Sequence, residues 1–333
     1  MLARRIARHT RQCAACALAV VGLAAGAAAS AAADDFPQKS IRLLMPFPPG
    51  GASEGVARPI MQKAGAALGQ TIVLDSRPGA SGTIAADIVA KAPADGYTLL
   101  FATSALFSIL PALNTGLSYD PVTGFAPITQ LVALNNALIV HPSVPANSVS
   151  ELIALAQRRP GQLNYASAGN GTTFHLAAEL FKLMARVDIT HVPYKGGAPA
   201  EIDVVAGQVQ MMFDSLSTAL GLIRSGRVRV LAVTTLRRSA ALPEVPTVAE
   251  AGLAGFEVAG WFGVAAPRGT PAAIVSRLNT EMRRALAVPE IRERLTGLGH
   301  EVVGNSADEF AAFIPRELAK WTKVIKHAGI RAD

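Results

Sequence analysis

The sequence predicts an α/β protein of two lobes, each a largely parallel sheet covered by helices. Three observations carry the prediction. From Ile41 onward, apolar strand-like runs alternate with helical stretches, the rhythm of parallel strands joined by crossover helices. The strand runs end in turn-forming or small polar residues, as in Met45-Pro46-Phe47-Pro48, Asp75-Ser76-Arg77-Pro78-Gly79 and Ala102-Thr103-Ser104, and those ends are where open α/β sheets bind ligands. Finally, a chain of 333 residues exceeds the size at which a single core usually divides in two.

The N-terminus stands outside this pattern. Arg4, Arg5, Arg8 and Arg11 precede an apolar stretch from Ala14 to about Ala29, and Ala31-Ala32-Ala33 follow before Asp34. Residues 1–33 therefore read as a secretory signal cleaved near Ala33, since a membrane anchor would need a longer and bulkier apolar run. Both cysteines, Cys13 and Cys16, fall inside it, which excludes disulfides, cysteine nucleophiles and thiolate metal sites from the exported chain. Losing four arginines and no acids lowers the formal charge from +7 to +3. The basic balance is then no argument for nucleic acid, and a small anion fits as a partner.

Element by element, strands are predicted at Ile41–Met45, Thr71–Leu74 and Thr98–Thr103, with helices at Val56–Leu68 and Gly82–Lys91 between them. A run rich in Leu, Val and Asn spans Phe125 to Pro145, and a second α/β series begins with Ser150–Gln157, Leu163–Ser167, Thr172–Met184 and Ile189–Val192. Val258–Ala265 reads as a returning strand, and Pro271–Ala287 and Ala307–Lys326 as helices with charge on one side. This implies a discontinuous first lobe, residues 34–135 plus 255–333, around a second lobe of residues 136–254, with two chain crossings between them.

Four loops carry candidate chemistry. In Pro46-Phe47-Pro48-Pro49-Gly50-Gly51-Ala52-Ser53-Glu54, glycines let backbone N–H groups converge, and Ser53 can cap the next helix or donate to a ligand oxygen. The same loop satisfies G-x-S-x-G at Gly51-Ala52-Ser53-Glu54-Gly55, so a serine hydrolase is the competing reading. Against it, this strand is the first of the exported chain and no His-Gly-Gly-Gly motif is present. Tyr165-Ala166-Ser167-Ala168-Gly169-Asn170-Gly171-Thr172-Thr173 repeats the anion-cradle logic in the second lobe and fits no nucleotide-binding motif. Asp214, after the apolar run Val209 to Phe213, can orient ligand-side water or simply cap a helix. His175, His191 and Lys195 lie near the second cradle, and no histidines or acids have metal-site spacing.

Taken in order, Pro46-Phe47-Pro48-Pro49-Gly50-Gly51-Ala52-Ser53, Arg77-Pro78-Gly79-Ala80-Ser81-Gly82-Thr83, Asp95-Gly96-Tyr97-Thr98-Leu99-Leu100, Leu163 to Thr172, His191-Val192-Pro193-Tyr194-Lys195-Gly196-Gly197 and Leu242 to Gly252 closely resemble the Bug receptors, the TctC-type solute-binding proteins of tripartite tricarboxylate transporters. The resemblance implies a type II periplasmic binding protein with two α/β lobes, a ligand cleft between them and closure on a small carboxylated ligand, without catalysis and without a cofactor. It places Phe47, Gly51, Ala52 and Ser53 opposite Ser167, Gly169, Thr172 and Thr173 around the carboxylate, with bridging waters, and adds Thr103 and Ser104. Asp214 and Phe107 are the candidates for the far end of the ligand. Glu54 stands where the family usually has aspartate, and Asp75-Ser76 replaces the usual Glu-Asn. The implied partners are integral-membrane transporter subunits or, for an orphan receptor, a sensor kinase; no nucleic acid is involved.

Overall fold

The computed structural model describes residues 36–49, 52–113, 116–194 and 196–330. Residues 1–33, expected to be a secretory signal, lie outside the described residues together with Gly51 and Lys195, as does the side chain of Ala52.

The chain opens as β1 (Ile41–Met45), α1 (Ala52–Leu68), β2 (Ile72–Ser76), α2 (Thr83–Ala90) and β3 (Thr98–Thr103), the predicted order. β1 pairs parallel with both β2 and β3. Ile41, Leu43, Leu44, Leu99, Leu100 and Phe101 are fully buried, which is why these strands read as continuous apolar runs rather than alternating ones. A wide helical turn, Ala105–Ile109, and the short α3 (Leu110–Leu113) lead to β4 (Phe125–Leu134), and only Asn135 separates β4 from β5 (Asn136–Val140).

The second series runs α4 (Val149–Arg158), β6 (Asn164–Ser167), α5 (Thr173–Ala185), β7 (Thr190–Pro193), α6 (Gly197–Val205), β8 (Met211–Ser215), α7 (Leu216–Arg224) and β9 (Arg229–Val233). β10 (Gly260–Pro267) then returns to the first sheet, followed by α8 (Ala272–Leu286), α9 (Pro289–Gly297), β11 (His300–Val302) and α10 (Ala307–Ala328).

The strand orders are β11-β4-β10-β3-β1-β2 and β7-β6-β8-β5-β9. Leaving out the edge strand β11, both sheets follow one scheme, with the strand that arrives from the other sheet in the fourth place. That strand, β10 in the first sheet and β5 in the second, runs antiparallel to both neighbours. The repeated scheme brings the carboxyl ends of β1 and β3 and those of β6 and β8 to the region where the chain crosses between lobes. There the crossings are stitched together: Thr234 N–H donates to Asn136 O (2.9 Å) and Val258 N–H to Thr234 O (2.9 Å).

Helix α10 ties the lobes a third time. Phe310 and Ile314 near its start pack in the first-lobe core with Phe107 and Trp261. Trp321, Val324 and Ile325 near its end pack with Leu176, Phe181 and Phe213 of the second. Its start is fixed by a capping box in which Ser306 Oγ accepts Glu309 N–H (3.2 Å) and the Glu309 carboxylate accepts Ser306 N–H (2.8 Å).

Candidate functional site

A cavity of about 690 Å³ lies where the strand ends of the two sheets converge. The first lobe contributes Phe47 after β1, Ser81 before α2, Thr103 at the end of β3 and Ser104 just after it, and Leu134, Phe262 and His300 from β4, β10 and β11. From the second come Asn136 at the start of β5, most of the stretch 168–174 after β6, and Ser215 and Ser217 at the β8–α7 junction. Ile109, Leu110 and Leu113 form an apolar wall.

The second-lobe cradle is built from its own backbone. Thr172 has extended dihedrals and caps α5, its hydroxyl accepting His175 N–H (3.4 Å) and donating to Gly169 O (2.8 Å). Gly169 (φ 126°) and Gly171 (φ 72°) take left-handed backbone that a side chain would strain, and this folds the loop over the helix end. Behind it, Ser167 Oγ accepts Gly169 N–H (3.1 Å) and lies 2.7 Å from His191 Nε2, while His175 Nδ1 accepts Gly171 N–H (3.0 Å).

Two imidazoles and a phenol brace this loop. His175 and His191 stack with ring centroids 4.1 Å apart, and Tyr165 stacks on His191 at 4.7 Å and donates to Glu179 Oε1 (2.6 Å). Burial lowers the pKa of both histidines, and His175 adds to the effect on His191, which is pulled down to about 4. Both rings are therefore neutral near pH 7, leaving Nδ1 of His175 free to accept.

Ser81 reaches the cavity from a strained loop. Ala80 (φ 45°) and Ser81 (φ 55°) both occupy the left-handed region that non-glycine residues seldom adopt, and Thr83 Oγ1 bonds Ala80 O (2.9 Å). Asp75 pairs with Arg42 (2.5 Å) and Arg77 (3.0 Å), and Glu54 pairs with Arg58 one turn along α1.

Among the residues expected from the sequence, Phe47, Thr103, Ser104, Thr172 and Thr173 line the cavity. Ser167 and Gly169 lie behind the loop surface, Ser53 is buried in the first turn of α1, Gly51 lies outside the described residues, and Ala52 is placed only as the first residue of α1. Asp214 is 1% exposed and turned into the lobe: its carboxylate accepts Ser215 N–H (2.8 Å) and the Thr218 hydroxyl (3.0 Å). Burial, and then Glu201, pushes its pKa well above the usual carboxylate range. Phe107 is core, with its ring centroid 5.1 Å from Phe125 and 5.9 Å from Trp261. The sequence reading assigned no role to Ser81, Asn136, Asn170, Ser215, Ser217 or His300 at this cavity. Ser81, Asn170 and Ser215 lie within the motif stretches that the sequence singles out; Asn136, Ser217 and His300 do not.

No Asp, Glu, Lys or Arg is among the described residues lining the cavity. An anion there meets hydroxyls, amide groups and the first-turn N–H groups of α5, which carry the positive end of the helix dipole.

The chain matches the model of the tripartite tricarboxylate transporter family receptor over residues 56–330. It belongs to that family. A protein from R. palustris solved with adipate is 41% identical, covering 89% of this chain and 99% of its own, with a TM-score of 0.74. MatC from Rhodopseudomonas palustris, solved with malate, is 35% identical with a TM-score of 0.70, covering 87% of this chain and 100% of its own. The periplasmic binding protein BugD is 34% identical, also at 0.70, covering 90% of this chain and all of its own. The family comprises periplasmic solute-binding receptors and not enzymes, which sets aside the serine-hydrolase reading of G-x-S-x-G. In this receptor Ser53 belongs to the opening turn of α1 instead.

Proposed function

We propose that this receptor is exported through its N-terminal signal and captures a small carboxylated ligand by closure of two lobes, residues 34–135 plus 255–333 and residues 136–254. It then delivers the ligand to the membrane subunits of a tripartite tricarboxylate-type transporter. The observation that carries the reading is the loop from Ala168 to Thr173, whose capping hydroxyl, glycine backbone and helix start face a cavity with no charged side chain among its described lining residues. Similarity to proteins solved with adipate and malate supports a carboxylate as the group held there.

A thermal-shift screen against mono-, di- and tricarboxylates, amino acids, aromatic acids and uncharged sugars and amides tests this. A ligand at a hundredfold excess over its Kd adds about 2.7 kcal/mol, a shift of several degrees in a protein of this size. Stabilisation by one class of acid is the expected result, and stabilisation only by uncharged solutes would overturn the reading. Thr172→Val is expected to weaken binding of the identified acid about tenfold, near 1.4 kcal/mol. Because the helix cap is lost too, it should also lower stability by about 1 kcal/mol, measured by urea unfolding.

A further inference from the structure

One polar side chain at the cavity is used by neither the fold nor the carboxylate cradle. His300 begins β11, opposite Leu134 in the ladder, and is only 8% exposed. Its ring has no hydrogen-bond partner among the described residues, although it lines the cavity. Burial lowers its pKa, so the ring is neutral and offers one donor and one acceptor.

The cavity wall as a whole is mostly carbon. Leu134 is its ladder partner, Phe262 lines the same cavity, and Leu216 of the second lobe, between the cavity-lining Ser215 and Ser217, sits against the preceding Gly299. Ile109, Leu110 and Phe174 supply further apolar surface from both lobes. A second carboxylate here would lose its water against a largely apolar wall and gain no cation, only neutral groups such as this ring and the hydroxyls of Ser215 and Ser217, whereas a hydroxyl matches that ring in both donor and acceptor.

We propose that His300 selects the far end of the ligand, and that the ligand is a monocarboxylate with an apolar body ending in an uncharged hydroxyl-class group. This rests on the carboxylate-receptor reading and narrows it. It also separates this chain from its relatives solved with the dicarboxylates adipate and malate.

The test is isothermal titration of the wild type, His300→Leu and His300→Gln with benzoate, 3- and 4-hydroxybenzoate, adipate and malate. In the wild type, one hydroxylated ring acid should bind at least about tenfold tighter than both benzoate and adipate. His300→Leu should bring that acid down to the affinity of benzoate, and His300→Gln, which keeps a donor and an acceptor, should restore part of the preference. A wild type that binds adipate or malate tightest, or a hydroxyl preference that survives in His300→Leu, overturns the role of His300 and leaves the receptor reading standing. If none of these acids binds, while the thermal-shift screen finds no other, both fall. The wild-type ranking decides the ligand class even where a variant fails to fold.

Discussion

Gly263→Val is expected to cost about 3 kcal/mol or more of stability, and ligand capture with it. Gly263 lies in β10 between β3 and β4, opposite Ala102 and beside the register shift that follows Phe262. A Cβ built there would lie 2.8 Å from the carbonyl oxygen of Thr129 and 2.7 Å from Cζ of Phe310. The carbonyl belongs to the neighbouring strand, so the sheet itself must open. Phe310 anchors the first-lobe end of α10, the helix that reaches both cores, so moving its ring disturbs the tie between lobes as well. Urea unfolding checks the prediction, with Gly263→Ala expected to lose about half as much; a valine variant within about 0.5 kcal/mol of wild type would contradict it.

Acidification from pH 7 to 4 is expected to remove stability and ligand affinity together. The folded-state pKa of His191 lies near 4, below its ordinary value of about 6.5, so the unfolded chain binds more protons between these two pH values. The histidine's contribution therefore falls as pH drops from about 6.5 and levels off below about 4. Discounted for the part of the ring that solvent reaches, it amounts to about 2 kcal/mol. His175 shifts in the same direction, and its protonation would remove the acceptor that holds Gly171 N–H. Acid also titrates carboxylates such as Asp120 and Glu309, whose folded pKa values are lowered by backbone N–H groups and whose contributions are lost as pH falls. The informative quantity is thus the difference between wild type and His191→Gln. The variant should show the shallower fall in urea midpoint between pH 7 and 4.5, and identical slopes would contradict the account.

Much of the architecture was legible because buried parallel strands advertise themselves. Ile41–Met45 and Thr98–Thr103 form strands with the bounds expected from their apolar runs and polar ends. Helix α1 begins earlier than its apolar pattern, at Ala52, because Ser53 and Glu54 suit a first turn and Gly55 has open space around it. The sequence reading did not name α6, α7 or β9. Pro199 sits in the first turn of α6, where its missing N–H costs nothing, yet with Gly196 and Gly197 it makes the segment read as a loop. Helix α7 is only nine residues long and holds Gly221, and β9 follows it after a brief turn.

The cavity divides along the same line. Thr103, Ser104, Thr172 and Thr173 could be found from hydroxyls at strand ends and helix starts, a local signal. Ser167 and Gly169 share that signal but face the histidine brace, a distinction that depends on where β7 places His191 beside β6. Asn136 and His300 reach the cavity through the crossing strand and the returning edge strand, and nothing near them in sequence announces it. Asp214 was attractive as a carboxylate at a strand end; the strand instead turns it inward onto Ser215 and Thr218, and Ser215 lines the cavity.

The most direct measurement is isothermal titration of the acid that stabilises the protein best against its own primary amide, which keeps shape and body and loses the charge. Helix-end N–H groups and oriented hydroxyls favour the anion, so the acid is predicted to bind at least about a hundredfold tighter, near 2.7 kcal/mol. Equal affinity for acid and amide would contradict the claim that this cavity is a carboxylate receptor.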